Sequence, residues 1–576
     1  MDFDLVIRGG ELADGRGGPL RRADVAVRDG LIAEVGDVRG RGREEIDAHG
    51  LLVTPGFVDV HTHYDGQVAW DSRMQPSSWH GVTTAVMGNC GVGFAPVRAA
   101  DRDRLIELME GIEDIPGTAL HVGLDWRWES FREYLDALDG RPYDIDVAAQ
   151  LPHGALRMYV MGDRAARLEP AIEDDIAQMR HLAAEAVRAG AIGFSTSRSI
   201  NHKSIKGDPT PTLRATEAEL TGIAMGLADA GKGVFQFISD FDVPSLDEEF
   251  AMLRRVAAAC GRPMSFTLLQ RHSATASEDW RRLLALTREA VADGLQIRAQ
   301  VAPRPVGVLL GLQGSRNPFT TCPSYKAIAA LPLDERVARM RTPELRARLL
   351  QEIGQPGKDM LSQRLTAFER IFPLGDTPNY EPSREQSLAA IAQRQGRPAA
   401  EVAYDEILRN DGRAFLLAPF ANYADFSLDA CRDMIADDNT VIGLGDGGAH
   451  VGVISDASFP TFLLSHWGRD RPTGRFDVSW LVRRQALDTA RTVGLFDRGL
   501  VAPGYKADLN VIDMTRLAVS LPVIAHDLPA GGRRLLQRAQ GYVATVVSGV
   551  PVYREGEATA ALPGRLVRGP QAAPVQ

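Results

Sequence analysis

The sequence is poor in cysteine. Its 576 residues contain four cysteines, scattered and without a Cys-x-x-Cys pair: Cys90, Cys260, Cys322 and Cys431. A disulfide framework is therefore not expected, and the pattern is typical of a protein in the reducing cytoplasm. Three of the four cysteines have ordinary core or loop surroundings. Cys90 differs, because it stands beside a glycine at the end of a predicted strand.

Long apolar runs and an excess of basic charge are missing as well. No uninterrupted stretch of about 18 apolar residues occurs, so no membrane span is predicted. The opening segment Met1–Ile7 lacks a basic stretch followed by a long apolar one, and no signal peptide is expected. A net charge of −10 argues against a nucleic-acid partner and favours plain solubility.

Short β-type segments mark both ends of the chain. Residues 1–55 show short strands separated by glycine-rich turns such as Asp29–Gly30. This segment is too small to enclose a core alone, and residues 491–568 return to the same pattern. We therefore predict that the two ends build one small β domain. Residues 569–576 are rich in proline and alanine, and we expect a flexible tail.

Between these ends, residues 56–490 alternate short apolar strands with helical periodicity. Near-continuous apolar strands are typical of a buried parallel sheet, and eight of them alternating with helices predict a (β/α)8 TIM-like barrel. Residues 302–435 are too long for one connection and indicate an insertion over the barrel mouth. The insertion is either a lid or an oligomer contact, and the sequence leaves both open. The predicted strands begin near residues 57, 83, 146, 191, 233, 264, 295 and 440.

The segment Pro55–His63 ends the first barrel strand with two histidines. Side chains two residues apart point to the same side of an extended strand, so His61 and His63 can direct two imidazoles to one point. Two converging imidazoles are half of a metal site. The alternative is a pair of histidines that stands near a strand end by chance. Barrel active sites lie at the C-terminal strand ends, where this pair is expected.

Two further side chains are expected on the same rim. Cys90 follows the second strand, and its thiolate can bind or bridge Zn²⁺. Asp446 follows the eighth strand, which neighbours the first strand in a closed barrel, and its carboxylate can bind the metal and accept a proton. The alternatives are a small buried residue in a turn for Cys90 and a turn aspartate for Asp446. His450, in the same loop, either supports the site or packs there.

Several motifs together resemble the amidohydrolase superfamily and, within it, the N-acyl-D-amino-acid deacylases, or D-aminoacylases. The resemblance covers nearly the whole chain apart from the insertion and the tail. It implies a metal-bearing barrel, a composite β-sandwich from both termini, and zinc-dependent amide hydrolysis. The metal ligands that it implies are His61, His63, Cys90 and Asp446. The matching segments are Pro55–His63, Thr83–Thr84, Gly88–Gly91, Gly190–Thr196, Asp446–Gly447, Gly499–Leu509 and Leu562–Arg568.

The sequence departs from this family at the fifth and sixth strands. Deacylases of the family carry a metal-ligand histidine at the end of each, whereas Val234–Asp240 and Phe266–Gln270 contain none. We therefore expect one zinc ion, with a weak second metal completed by other residues as the alternative. The family's substrate-binding lysine after the sixth strand is missing too, and Arg271 is a candidate replacement. The other candidates for binding an anionic substrate group are Arg198, His202, Lys203 and His450.

These features lead to three hypotheses. In the first, a small-molecule N-acyl amino acid, preferentially of D configuration, is hydrolysed, and Asp446 moves a proton from the attacking water to the leaving nitrogen. In the second, the same site cleaves a cyclic amide, an ester or a carbamate, as hydantoinase-like relatives do. In the third, a degenerate barrel serves as a binding scaffold without catalysis. Glu110–Asp114 is interpreted as a polar loop, and a homo-oligomer is left open.

Overall fold

The computed structural model describes residues 2–242, 244–273, 275–353 and 360–575. Its strands, numbered in chain order, are β1 (Phe3–Leu12), β2 (Arg21–Arg28), β3 (Leu31–Gly36), β4 (Gly42–Asp47), β5 (Leu52–Pro55), β6 (Phe57–Asp59), β7 (Val82–Met87), β8 (Asp146–Pro152), β9 (Gly193–Arg198), β10 (Val234–Ser239), β11 (Met264–Thr267), β12 (Ile297–Val301), β13 (Val306–Leu310), β14 (Phe372–Pro373), β15 (Leu416–Ala421), β16 (Thr440–Ile442), β17 (Leu509–Ile512), β18 (Ala518–Val519), β19 (Val523–Leu528), β20 (Gly532–Leu536), β21 (Ala539–Gln540), β22 (Tyr542–Val547), β23 (Val550–Arg554) and β24 (Glu557–Ala558).

Helices fill most of the connections. The α-helices are α1 (Gln67–Trp70), α2 (Arg102–Glu113), α3 (Gly117–Gly123), α4 (Phe131–Asp139), α5 (His153–Met161), α6 (Asp163–Ala166), α7 (Glu173–Ala189), α8 (Glu217–Ala230), α9 (Leu246–Cys260), α10 (Asp279–Ala292), α11 (Pro323–Lys326), α12 (Leu333–Met340), α13 (Pro343–Ile353), α14 (Met360–Leu365), α15 (Leu388–Gln395), α16 (Ala399–Ile407), α17 (Arg409–Gly412), α18 (Asp429–Ala436), α19 (Phe459–Phe462) and α20 (Val478–Thr492). The 3₁₀ turns are Ser77–His80, Ala99–Asp101, Phe368–Arg370, Arg384–Gln386, Asp456–Ser458 and Pro529–Gly531, and Leu463–Asp470 is a π-helix.

The predicted barrel is confirmed. Eight parallel strands form one sheet in the order β16-β12-β11-β10-β9-β8-β7-β6, so neighbours in space follow one another in the chain except across the insertion. Just beyond the two outer strands, Thr62 forms a parallel bridge with Gly447. The backbone N–H of His63 donates to the carbonyl of Gly447 at 2.7 Å, and that of Asp446 donates to the carbonyl of His61 at 2.9 Å. These bonds bring the eighth strand end against the first, at the rim where the site was expected.

The helices outside the barrel bury one apolar face, and α7 shows how the sequence sets their limits. Three acidic side chains in its first turn complement the positive end of the helix dipole. The helix ends at Gly190, whose φ of 127° lies in the region that favours glycine. Its buried face packs on the sheet and on α8. The buried side chains of that face include Met179, Ala183, Ala186 and Val187.

Strands from both chain ends share a nine-stranded sheet, as the composite β domain requires. Its order is β24-β23-β22-β17-β5-β1-β2-β3, with β4 paired to β1. Strand β5 runs antiparallel to β17, with Val53 opposite Val511, so the seam joins the two ends of the chain. The core of this sheet includes Leu5, Ile7, Val25, Val53, Leu509, Val511 and Val546.

A buried ionic network fastens the third barrel strand to the C-terminal part of the chain. Asp146, at the start of β8, has no exposed surface. Its Oδ2 accepts hydrogen bonds from Arg498 Nη1 and from Lys506 Nζ, each at 2.7 Å. Its Oδ1 accepts from the backbone N–H of Arg565 at 3.1 Å. Arg498 and Lys506 are themselves buried, and each also pairs with a second carboxylate, Asp497 for Arg498 and Asp508 for Lys506.

A separate small sheet lies within residues 302–435, the segment that the sequence predicts as an insertion. Strands β13, β15 and β14 make an antiparallel sheet, and helices α11–α17 lie between β13 and β15 in sequence. The end of the insertion is bonded to the loop after the sixth barrel strand. Asn422 and Gln270 exchange hydrogen bonds of 2.8 Å, and Gln270 Nε2 donates to Asp425 at 2.7 Å. The insertion is therefore fixed to the mouth at this point.

The described part of the C-terminal tail is attached to the barrel. The N–H of Gly569 donates to the carbonyl of Gly190 at 2.8 Å, and the N–H of Gln571 donates to that of Gly494 at 3.0 Å. Residues 569–571 are thus held by backbone bonds, in contrast to the expected flexible tail.

No helix in the described ranges is both long and apolar enough to span a membrane.

Candidate metal centre

Two buried imidazoles lie just beyond the end of β6. The side chains of His61 and His63 are each about 2% exposed. His61 Nδ1 lies 2.6 Å from Gln300 Oε1, and because an amide oxygen can only accept, Nδ1 must carry the proton. The Nε2 atom of His61 then has a free lone pair, which is the form of imidazole that binds a metal. On His63, Nδ1 lies 3.2 Å from a carboxylate oxygen of Glu113.

Cys90 and Asp446 meet these imidazoles. His61 Nε2 lies 3.2 Å from Cys90 Sγ, and the ligand atoms of His61, His63 and Cys90 all lie within 4.8 Å of one another. Asp446 Oδ1 lies 3.5 Å from His61 Nε2 and 3.7 Å from His63 Nε2. Both Cys90 (φ 55°) and Asp446 (φ 47°) adopt left-handed backbone, which side chains other than glycine rarely do. Such conformations persist where the surrounding structure imposes them, often at functional sites.

The donor set fits a zinc ion. Zinc binds imidazole, thiolate and carboxylate at about 2.0–2.3 Å in a tetrahedron, which places neighbouring donor atoms about 3.3–3.6 Å apart. The measured separations of 3.2, 3.5 and 3.7 Å bracket that range. Burial raises the pKa of the Cys90 thiol, and nearby carboxylates raise it further. A divalent cation among these donors would favour the thiolate instead, because coordinated thiols lose their proton.

Glu113 lies beside the imidazole pair, which the sequence did not predict. The sequence predicts a polar loop at this position, but Glu113 is the last residue of α2 and is only 1% exposed. Burial, followed by the charges of Asp446 and Asp65, raises the pKa of its carboxyl. Its Oε2 lies 3.7 Å from His450 Nε2. The available signal was its place within the apolar spacing of Leu105, Met109 and Ile112, which extends the buried face of α2 to this residue.

Apolar side chains stand at the ends of the fifth and sixth strands, where the sequence lacks the family's histidines. Gln236 of β10 points inward, because its Oε1 accepts from the N–H of Cys90 at 3.2 Å. Ile238, two residues later, shares that face. After β11, Leu269 is partly buried against an apolar cluster that includes Val306. The ends of the fifth and sixth barrel strands therefore carry no imidazole at Ile238 or Leu269.

The two arginine candidates for substrate binding are bonded to the protein's own carboxylates. Arg198 Nε donates to Glu249 at 2.8 Å, and Glu249 is buried. Arg271 donates to Asp242 and to Asp279. Both guanidinium groups therefore already have anionic partners. Neither geometry leaves an unpaired cation for a ligand.

The other three candidates differ in how they face the centre. His202 Nδ1 lies 2.8 Å from Ser197 Oγ, and burial lowers the pKa of this histidine to about 3, with contributions from His450 and His61. His450 is 31% exposed and lies beside Glu113. Lys203 is exposed. His202 and His450 thus lie near the imidazole pair and Lys203 lies at the surface.

A parallel barrel with imidazole, thiolate and carboxylate donors at its C-terminal strand ends defines a metal-dependent hydrolase. The chain belongs to the amidohydrolase family, whose sequence profile matches residues 44–553. It is 27% identical to the D-aminoacylase of Alcaligenes xylosoxydans xylosoxydans over 580 residues, 98% of this chain and 97% of that protein. The resemblance inferred from the motifs is thereby confirmed.

A second related sequence and a related structure also indicate similarity to the D-amino-acid deacylases. The N-acyl-D-glutamate deacylase of the same organism is 32% identical over 314 residues, 53% of this chain and 57% of that protein. A D-aminoacylase structure, described as having a binuclear metal centre with one-metal activation and second-metal attenuation, is 26% identical with a TM-score of 0.65. That similarity covers 98% of this chain and all of the other.

Proposed function

We propose that the chain is a zinc-dependent hydrolase that cleaves the amide bond of an N-acyl-D-amino acid. The observation that carries this proposal is the meeting of two imidazoles, a thiol and a carboxyl group at the ends of three barrel strands. The relatives named above, a D-aminoacylase and an N-acyl-D-glutamate deacylase, favour this substrate class.

The side chains of the candidate centre have different proposed roles. Four side chains would hold the ion, which when bound supplies Lewis-acid activation of water and of the amide carbonyl. They are His61, His63, Cys90 and Asp446. Asp446 is 17% exposed, the most accessible of the four side chains, so it can reach both donors and substrate. It accepts a proton from the attacking water and returns it to the leaving nitrogen. Gln300 fixes the ring of His61 in the tautomer that leaves Nε2 free.

We propose that one zinc ion per chain suffices. A second metal needs its own donors, and Ile238 and Leu269 supply none at the fifth and sixth strand ends. Elemental analysis of purified protein, after removal of loosely bound metal, should give one zinc per chain. Two tightly bound ions per chain would contradict the single-metal proposal while leaving the hydrolase proposal intact.

The catalytic proposal is tested with Cys90→Ala and Asp446→Asn on a panel of N-acyl-D- and N-acyl-L-amino acids. We expect kcat/KM to fall by about 10²-fold or more in each, because Asp446→Asn removes the proposed proton-transfer group and Cys90→Ala removes a proposed metal ligand. Cys260→Ala, which alters a buried thiol at the end of α9, is the matched control for the cysteine variant. Turnover within about twofold of the wild type in either site variant would refute the assignment.

A second substrate class, cyclic amides or esters without a free carboxylate, is favoured by one observation. Gln270 stands near the position of the family's carboxylate-binding lysine, and it is bonded to Asn422 and Asp425 of the insertion. Arg271, the candidate replacement, is paired with Asp242 and Asp279. Hydrolysis of a cyclic imide at a higher kcat/KM than any acyl amino acid would favour this class over the first.

We also propose a reducing compartment, in agreement with the cytoplasmic location expected from the sequence. All four cysteines are free and buried. Burial raises the pKa of the Cys260 and Cys431 thiols, which makes them poor nucleophiles for disulfide exchange. Cell fractionation should recover the protein with the cytoplasmic markers, and recovery with secreted proteins would contradict the proposal.

A further inference from the structure

We propose that Glu113 is a positioning residue whose charge acts on His63 and thereby sets the affinity of the metal centre. This inference rests on the zinc site proposed above. The carboxyl group of Glu113 lies beside Nδ1 of His63. Its distance to His63 Nδ1 is 3.2 Å, whereas the Nε2 atom of the same ring is the one that faces Asp446.

The two histidines of the centre are placed similarly but are not held in the same way. Gln300 Oε1 is hydrogen-bonded to His61 Nδ1 at 2.6 Å. Glu113 Oε1 lies 3.2 Å from His63 Nδ1, and this nitrogen has no hydrogen-bond partner among the described residues. A carboxylate this close to Nδ1 favours the proton on that nitrogen through its charge, which leaves Nε2 free. Glu113 differs from Gln300 in its charge, which raises the basicity of the imidazole that it contacts.

The surroundings of Glu113 are unfavourable for a carboxylate that has only a structural role. The side chain is 1% exposed, and its ion-pair contacts among the described residues are the histidines His63 and His450. Its Oε2 has no hydrogen-bond partner within the described part of the chain. It also ends α2, where the helix dipole is negative and repels an anion. An apolar or amide side chain would cost less there, unless a cation lies nearby.

A direct metal-ligand role for Glu113 does not fit the geometry. The donors of the centre lie on the Nε2 side of His63, where Asp446 Oδ1 is 3.7 Å away. Glu113 approaches the same ring from its Nδ1 side. One imidazole therefore separates the carboxylate from the donor cluster. The carboxylate acts on the metal through His63, and its other oxygen faces His450 at the rim.

The test compares Glu113→Ala and Glu113→Gln with the wild type in zinc affinity, measured by competition with a chromogenic chelator, and in the melting temperature of the zinc-free protein. We expect Glu113→Ala to weaken zinc binding about 10- to 100-fold, as outer partners of metal-bound histidines do. Glu113→Gln keeps an oxygen beside Nδ1, so it should recover part of that loss. The zinc-free variants should melt at or above the wild-type temperature, because a buried unpaired carboxylate has been removed.

Glu110→Gln is the matched control, because it makes the same chemical change one turn earlier in α2. Glu110 accepts a hydrogen bond from the N–H of Gly117 and does not contact the histidines. The zinc affinity of the Glu110→Gln variant should equal that of the wild type. Equal zinc affinity in Glu113→Ala and the wild type would overturn the inference. The inference would also be overturned if both Glu113 variants lost zinc affinity equally and their zinc-free forms melted below the zinc-free wild type. A wild type that binds no zinc would instead refute the proposed function.

Discussion

The replacement Asp146→Asn removes one charge from the buried network and should destabilise the protein by about 2–4 kcal/mol near pH 7. Two cations lie 2.7 Å from the Asp146 carboxylate, and they hold its pKa at about 2 against an ordinary value of 3.8. That difference alone corresponds to about 2 kcal/mol. Breaking a buried ion pair typically costs about 3–5 kcal/mol. The lower part of that range applies, because Arg498 keeps Asp497 and Lys506 keeps Asp508 as partners.

The dependence on pH provides the sharper test. Because the folded-state pKa of Asp146 is depressed, its contribution is present above about pH 4 and is lost as the pH falls from 4 towards 2. Urea unfolding of the wild type and Asp146→Asn should therefore show a gap at pH 7 that narrows below pH 4. Asp229→Asn, which breaks a half-exposed pair with Arg180, should cost less than about 1 kcal/mol. A gap below about 0.5 kcal/mol at pH 7, or one that is constant to pH 2, would refute this reasoning.

Four other outcomes are expected. Removing metal with a chelator should abolish turnover, and one equivalent of zinc should restore it; activity that survives complete removal would contradict the metal site. Gln300→Ala should weaken zinc binding about 10- to 100-fold through His61, which chelator competition measures. Ile238→His combined with Leu269→His should raise the zinc content above one per chain in elemental analysis. Arg271→Ala should lower the melting temperature but leave KM within twofold, because its guanidinium is already paired.

The barrel could be predicted from the sequence because its eight strands are short apolar runs at regular spacing. The rim positions of His61 and Cys90 followed from where those runs end. The distance from His61 to Asp446 could not be predicted, because it depends on the closure between Thr62 and Gly447, which joins segments almost 400 residues apart. The sequence alone therefore indicated which side chains share a rim, and the structure shows that they meet.

Glu113 and the arginine candidates show where local sequence fails. Glu113 continues the apolar spacing of α2, but only its neighbours from distant segments, His63 and His450, place its carboxylate beside the candidate centre. Arg198 ends β9 and Arg271 lies in the loop after β11, but their partners Glu249 and Asp242 come from elsewhere in the chain. Whether a charged side chain is available to a ligand depends on such partners, and spacing in the sequence does not reveal them.

The seam between β5 and β17 has a consequence for synthesis on the ribosome. Strand β5 ends at Pro55 and its neighbour begins at Leu509, so translation must add more than 450 residues before the pair can form. At about 5–20 residues per second, the first five strands have an unpaired edge for roughly 20 to 90 seconds. The nascent N-terminus is thus exposed to aggregation for most of translation, and chaperone depletion should lower the yield of this chain more than that of a protein whose first domain closes on itself.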